Sequence, residues 1–350
     1  MDLTEIVGEI RSFPGITRKL PVAEVIKALP LIPSLWYPEG RMIASFGEDA
    51  AVIELGTQWL LLAADGVWES VLRADPRWAG YCSILVNVND IAAMGGTPLA
   101  AVNVISMSDS AVQILKGVRE GVEKFGVPIV GGHTHPGCSY NAIDVAILGT
   151  VGRGEAIYSH TAQVGDKIIF AIDLDGRIHP NSPYSWDSTS DKSPDVVRQQ
   201  VGVMGKLGRR KILTAGKDIS NPGSLGTLGM LLETSGKGAS VDLREIPRPE
   251  NVPLVQWLKL YPGAGFVVTC RREATDEVIH AFGKVGLSAS VAGNITEGHR
   301  LSITDGASKR TLFDFKTDRI TGIRPITGNR PIAGTRPITS THPPSSIDIR

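Results

Sequence analysis

The 350-residue chain is poor in several features that would announce a function. Cysteine is scarce: Cys82, Cys138 and Cys270 lie far apart, are odd in number and form no CxxC pair. Neither a disulfide framework nor a common zinc ribbon is suggested. No apolar run approaches the roughly 20 residues that cross a bilayer; the longest lies near WLLLAA, Trp59–Ala64. The opening MDLTEIVGEIRSF carries acids and no long apolar stretch, so it does not read as a signal peptide. A reducing cytoplasm without membrane contact is the expected setting. Charge of one sign is absent too, because 36 Lys and Arg balance 36 Asp and Glu. Phosphate-backbone binding needs a clustered positive excess, so nucleic acid is not an expected partner. No Ser-His-Asp or Cys-His nucleophile set is recognisable.

What is present describes a packed protein, with 42% apolar and 21% charged residues. The first 155 residues alternate strand-like and helix-like patterns. Strands are expected at Met42–Phe46, Ala51–Leu55 and Trp59–Ala63. A helix opens at Asp75–Pro76, a cap followed by proline at the first helical position, and closes at Gly95–Gly96. A strand over Leu99–Ser106 precedes a helix capped by Asp109, whose Ala111, Leu115, Val118, Val122 and Phe125 recur at helical steps. The buried strand VPIV then runs into Gly131–Gly132, and IDVAILGTV reads as another strand. A second unit starts near Gly165 with the strand GDKIIFAIDL. It continues with helices at Asp195–Leu213, Leu225–Thr234 and Glu273–Val285, strands at Ala239–Leu243 and Gly265–Cys270, and a final strand pair. The pattern predicts two α/β (α+β) halves, 1–155 and 156–315. From Lys316 to Arg350 three Arg-Pro repeats, GIRPIT, GNRPIA and GTRPIT, carry a net charge near +4 and read as a solvated, disordered tail.

Candidate chemistry begins with Asp90, the only charged residue from Trp78 through Ser108. Ser83, Asn87 and Asp90 share one helix stripe. A lone carboxylate on a buried helix needs a cation or several donors, and either metal ligation or loop capping satisfies that need. GEDAAVI places Glu48 and Asp49 at the mouth of one strand, and ADGVWES places Asp65 at the end of the next. Acids at strand ends face the crevice where α/β folds bind ligands, and several together suit Mg²⁺. In VGGHTH, Gly131 and Gly132 permit close approach of a phosphate, with Thr134 as a donor; an ordinary turn is the alternative. His133, His135 and Cys138 are spaced too tightly for a usual zinc site. KDISNPG offers Asp218 and Ser220 before a helix, as metal ligand or as cap. The polar loop Gly176–Asp191, with His179, Tyr184, Trp186 and Asp187, suits small-molecule recognition or is a plain surface excursion.

In this order, the segments resemble the AIR synthetase (PurM-like) superfamily, which includes thiamine-monophosphate kinase and selenophosphate synthetase. GEDAAVI is similar to their GDDAAV, NVNDIAAMGGTP to N-x-SD-x-x-AMG-x-x-P, VGGHTH to GGHT or GGDT, and KDISNPG to HDISDGG. The likeness spans about residues 40 to 305, and the chain as a whole looks like an uncharacterised bacterial AIR-synthase-related family. The resemblance implies a two-domain fold and a homodimer whose N-terminal strands form a shared barrel, with ATP beside it. Asp49, Asp65 and Asp90 would bind Mg²⁺, Asp218 would add a ligand from the second domain, and Gly131 and Gly132 would line the phosphates, with His133, Thr134 and Asn87 nearby. Asp90 and Asp218 would carry catalysis. Glu48 and His133 depart from the family's aspartates, and Asn221–Pro222 replaces Asp-Gly. Arg11–Leu20 lacks the cysteine of selenophosphate synthetase, but Arg18 and Lys19 are placed to close over a triphosphate. The expected activity is ATP- and Mg²⁺-dependent phosphorylation or activation of a small substrate. The alternatives are a thiamine-monophosphate kinase and a non-catalytic nucleotide-binding partner within a complex.

Overall fold

The computed structural model describes residues 2–29, 41–108, 111–261 and 263–323. In chain order the elements are α1 (Leu3–Arg11), α2 (Pro14–Thr17), α3 (Val22–Ala28), β1 (Arg41–Ala44), β2 (Ala51–Leu55), β3 (Gln58–Gly66), α4 (Glu69–Ala74), α5 (Pro76–Ala93), β4 (Thr97–Met107), α6 (Ala111–Phe125), β5 (Ile129–Pro136) and β6 (Ala142–Gly152). There follow β7 (Lys167–Ile172), β8 (Arg177–His179), β9 (Ser182–Asp187), α7 (Pro194–Arg210), β10 (Leu213–Asp218), α8 (Gly223–Ser235), β11 (Gly238–Asp242), α9 (Leu254–Trp257), β12 (Gly265–Cys270), α10 (Thr275–Gly283), β13 (Ser288–Thr296), β14 (Arg300–Thr304) and β15 (Lys309–Asp314). Among the described residues no helix is long and apolar enough to cross a membrane.

The first half carries a six-stranded sheet in the order β1-β2-β3-β6-β4-β5, antiparallel except for β4 beside β5. The second carries seven strands, β10-β12-β7-β13-β11-β14-β15, antiparallel except for β11 beside β14. Helix α5 lies between them and is buried on nearly every face, as an all-round apolar helix must be. Its start is set by Asp75, whose carboxylate accepts from the N–H groups of Arg77 and Trp78, with Pro76 at the first turn. Helix α6 packs against it at close range: a Cβ on Gly80 would sit 2.1 Å from the Ile114 carbonyl oxygen, and one on Gly117 would sit 1.8 Å from that of Arg77. Glycine is what allows two backbones this near.

Several expectations change. The segment VPIV does not form a buried strand: Val127 is buried but Val130 is 66% exposed, and β5 is the sheet's edge. Gly131 to Thr134 lie inside that edge strand instead of following a strand as a loop. LTAGKD, expected to begin in helix, forms strand β10, and the final strand pair is three strands, β13 to β15. The loop Gly176–Asp191 is largely the β8–β9 hairpin. Asp109 and the repeats from Arg324 onward lie outside the described residues.

The two ends of the chain pack away from the halves that sequence order assigns them. Leu3, Ile6, Ile10, Phe13 and Ile16 are buried in the core of the second sheet, although they precede the first. At the other end, the chain stays packed beyond Lys316, with Ile320 and Thr321 buried. Glu233 on α8 anchors this strap. Its buried carboxylate accepts from the N–H groups of Ile320 (3.3 Å), Thr321 (2.9 Å) and Gly322 (3.1 Å) and from the Thr321 hydroxyl (2.6 Å). The strap in turn holds the N-terminal arm, through the two-pronged pair Arg11–Asp318 at 2.7 Å. Glu233→Ala orphans these buried donors, each worth about 1–3 kcal/mol when unpaired. Denaturant unfolding should therefore show a loss of roughly 3 kcal/mol or more; a loss below about 1 kcal/mol is incompatible with the anchor.

Candidate active site

Three carboxylates converge where the halves meet. Asp49 precedes β2, Asp90 lies in the last turn of α5, and Asp218 ends β10. One oxygen from each lies within 4.8 Å of the others, the only such group of three potential metal ligands among the described residues. Lys217 lies beside them, only 4% exposed, with its Nζ paired to Asp49 Oδ1 and 3.5 Å from the Gly47 carbonyl oxygen. Asp49 Oδ2 is buried without a hydrogen-bond partner. Glu48 turns away: its carboxylate accepts from the Ser159 N–H at 2.6 Å and pairs with His160 Nδ1. The longer reach of glutamate thus ties the strand mouth to the second half.

Burial and mutual repulsion shape the titration. Asp90 is driven well above the carboxylate range, first by desolvation and then by the charges of Asp218, Asp49 and Asp65. Burial, then Asp49, push Asp218 up to about 8. Burial raises Asp49 despite the opposing charge of Lys217. Desolvation pulls Lys217 down, but Asp49, Glu48 and Asp218 outweigh it and hold it protonated. One lysine faces three acids, and a hard divalent cation is the partner that carboxylate oxygens select. The donor set and the orphaned Asp49 Oδ2 fit Mg²⁺.

Asp65, expected with the metal ligands, stands outside the converging group. Desolvation raises it, while Lys19 and Arg18 oppose that shift and Asp144 adds to it. Arg18 and Lys19 are therefore close to the acids; the Arg18 guanidinium lies 4.7 Å over the Trp68 ring. Asn87 is fully buried, its Nδ2 donating to the carbonyls of Ser83 (2.8 Å) and Asp65 (3.4 Å), and its Oδ1 has no partner.

The glycine strand is not gathered onto the acids. His133 pairs with Val104, which pairs with Asp144, which pairs with Gly66. Three strand spacings put His133 about 14 Å across the sheet from the end of β3. Gly132 is required by its neighbour, since a Cβ there would lie 2.0 Å from the Asn103 carbonyl oxygen. Thr134 and His135 continue the exposed edge, and His133, His135 and Cys138 do not assemble as a three-ligand set.

The hairpin residues are engaged in structure. Trp186 is buried, donating from Nε1 to the Asp173 carbonyl at 2.8 Å and packing edge-on to Trp257. Buried Asp187 pairs with Arg177 at 3.0 Å and accepts from the Ser190 N–H. Tyr184 packs on Phe13 with centroids 5.0 Å apart. Ser220 closes the turn into α8, its carbonyl accepting from the Gly223 N–H at 2.8 Å. Trp186 and Asp187 therefore have no free polar group for a substrate. Sequence reasoning overlooked Lys217 and Trp68; only Lys217, a cation adjoining a candidate ligand, left a local sign.

Fold and site define a two-domain mixed α/β protein whose halves close on a cation-ready acid cluster. Residues 47–152 match the AIR synthase related protein N-terminal domain and residues 163–306 the matching C-terminal domain, so the chain belongs to the AIR synthase related family. An uncharacterized protein of Methanocaldococcus jannaschii is 46% identical over 92% of this chain and 100% of its own length. Selenide, water dikinase of Carboxydothermus hydrogenoformans is 24% identical over 75% of this chain and 76% of its own. Among solved structures, T. maritima PurL complexed with ATP superposes with a TM-score of 0.67 at 16% identity, covering 77% of this chain but 47% of that one. AaThiL complexed with AMPPCP and TMP gives 0.60 at 19% identity, over 83% and 96%. At these identities the superpositions show a shared fold.

The raised carboxylates give a signed expectation. Asp218 titrates near 8 when folded, against 3.8 as an ordinary carboxyl. The folded protein thus holds a proton that the unfolded chain lacks between those values, and metal-free stability falls as pH rises through that window. Scanning fluorimetry from pH 5 to 8.5 should show Tm declining, the decline flattened by Asp218→Asn and offset at pH 8 by millimolar Mg²⁺. A Tm indifferent to Mg²⁺ at pH 8 contradicts cation binding.

Proposed function

We propose that the protein transfers the γ-phosphoryl group of ATP to a small acceptor, as a kinase or as the activating half of a ligase. The observation that carries this is the meeting of one carboxylate oxygen from each of Asp49, Asp90 and Asp218 within 4.8 Å, with Asp49 Oδ2 buried and partnerless. Mg²⁺ held there would supply charge neutralisation for the phosphates. Asp49, Asp90 and Asp218 would hold it, and Lys217 fixes Asp49 in orientation through their ion pair. Arg18 and Lys19 offer positive charge beside Asp65, where a triphosphate would face a majority of acids. The acceptor oxygen forms the new bond to phosphorus as the bond to the β–γ bridging oxygen breaks; ADP leaves with that electron pair, and the acceptor proton passes to solvent. Positioning and electrostatics suffice for this chemistry, which needs no protein nucleophile. The dikinase relative and the ATP-bound structural neighbour support the nucleotide.

The first sheet supports a second copy of the chain as partner. Leu62, Val102 and Val104 stand 46%, 41% and 42% exposed on one face, an apolar surface that a homodimeric barrel would cover. If so, Val104→Asp should convert a dimer to a monomer in sedimentation velocity; a wild-type monomer at micromolar concentration would exclude it.

For catalysis, Asp90→Asn should retain the fold by circular dichroism and lower ATP turnover by about 10³-fold or more. Arg18→Ala and Lys19→Ala should each raise the KM for ATP roughly tenfold, the loss of one charge-assisted contact. Turnover of Asp90→Asn at the wild-type rate would remove the acid cluster from the reaction.

A further inference from the structure

Lys217 adjoins the acid cluster, and its surroundings are those of a bound cation. Its Nζ is paired to Asp49 Oδ1 and lies 3.5 Å from the Gly47 carbonyl oxygen. A carboxylate and a backbone carbonyl are oxygen donors that hard metal ions take. The carbonyl is fixed in place. Gly47 sits at φ +99°, a conformation that favours glycine, and its oxygen also accepts from the Ser159 hydroxyl at 3.2 Å. A Cβ at Gly47 would meet the Ile323 and Thr234 side chains at 3.0 Å, so the turn is hemmed in from the second half. The lysine side chain is itself buried, so its charge acts inside the cluster.

Asp49 is the informative partner. Its Oδ1 has the ammonium, while its Oδ2 is buried with no hydrogen-bond partner. An orphaned buried acceptor calls for an explanation, and a divalent ion on that side supplies one. The other acids near the centre have their own partners. Glu48 is held by His160 and the Ser159 N–H, and Asp65 lies in the field of Lys19 and Arg18. Ionised, Asp49, Asp90 and Asp218 carry three negative charges, and Lys217 leaves two for a ligand to neutralise. One divalent ion matches that remainder. Without the lysine, the same carboxylates and the Gly47 carbonyl would offer charge and donors for a second ion.

We infer that the Lys217 ammonium is a built-in cation, standing at one position of a two-cation centre, so that the acid cluster binds one divalent ion and not two. Asp49 bridges the positions, Oδ1 to the ammonium and Oδ2 to the ion that Asp90 and Asp218 share. The inference rests on the cation-binding part of the reading proposed above. Two-metal centres clamp a transferring phosphoryl group between two positive charges. Here one of the two is covalently part of β10 and is not lost to dilution or chelation. Lys217 is a positioning residue in this arrangement, acting through Asp49 and the ion.

The test counts bound Mn²⁺, a paramagnetic stand-in for Mg²⁺, by EPR on the full chain without nucleotide. The wild type should bind one ion. Lys217→Met should bind two, the first no more weakly than in the wild type and the pair magnetically coupled. Lys217→Arg, which keeps the charge, should bind one. A lysine that only orients Asp49 predicts the reverse for Lys217→Met: still one ion, held about 10–100-fold more weakly, as when an outer partner of a metal ligand is lost. That result overturns the inference while leaving the cation site standing, and so do two ions in the wild type. If Lys217→Met does not fold in metal-free buffer, Mn²⁺ should restore its circular dichroism; a variant that no added Mn²⁺ refolds also overturns the inference. A wild type that takes up no Mn²⁺ at millimolar concentration instead overturns the cation reading on which the inference rests.

Discussion

Three carboxyl groups that resist ionising side by side, held close by the docking of two halves, are the constraint on which the molecule turns. Asp49, Asp90 and Asp218 come from a loop before β2, the end of α5 and the end of β10, so both halves must be docked before they meet. Desolvation and repulsion drive their titration upward, and Lys217 compensates only in part. Strongly perturbed carboxyls gathered in a crevice are the mark of a candidate functional site. The extensive shared core, in which residues of β7, α7, β12 and α10 pack with those of α5 and the first sheet, is what resists their separation.

The termini serve the same centre. Residues 2–29 precede the region that matches the family, and residues 307–323 follow it, yet the two are bound to each other. Arg11 grips Asp318, Gly322 lies against Ala23, and Ile323 lies against Gly47, whose carbonyl faces Lys217. The strap anchored by Glu233 therefore braces the arm that carries Arg18 and Lys19. A cationic arm held this way stays close to Asp65 and its acidic neighbours.

Much of the architecture was legible along the chain. The Asp75–Pro76 cap, the apolar continuity of α5 and the helical spacing of α6 are local signals, and the strands β2, β3 and β6 alternate or run apolar as their burial demands. Other elements were misread because context outweighs local chemistry. VPIV is apolar yet lies at the sheet's edge, where Val130 stays exposed. LTAGKD carries weak strand propensity but is paired by β12, and a polar stretch read as loop became a hairpin once Trp186 found the core.

By itself the sequence determined which side chains would be chemically expensive to bury: a lone Asp90 on an uncharged helix, Asp49 and Asp218 at element ends, glycines where backbones crowd. Composition and spacing carry that information because desolvation and sterics act residue by residue. Only the tertiary structure decided which acids converge, leaving Asp65 outside the triad, bringing Lys217 in, and placing the Gly131–Thr134 strand across the sheet. Distances between residues far apart in the chain depend on how two sheets dock around α5, and no local pattern encodes that geometry.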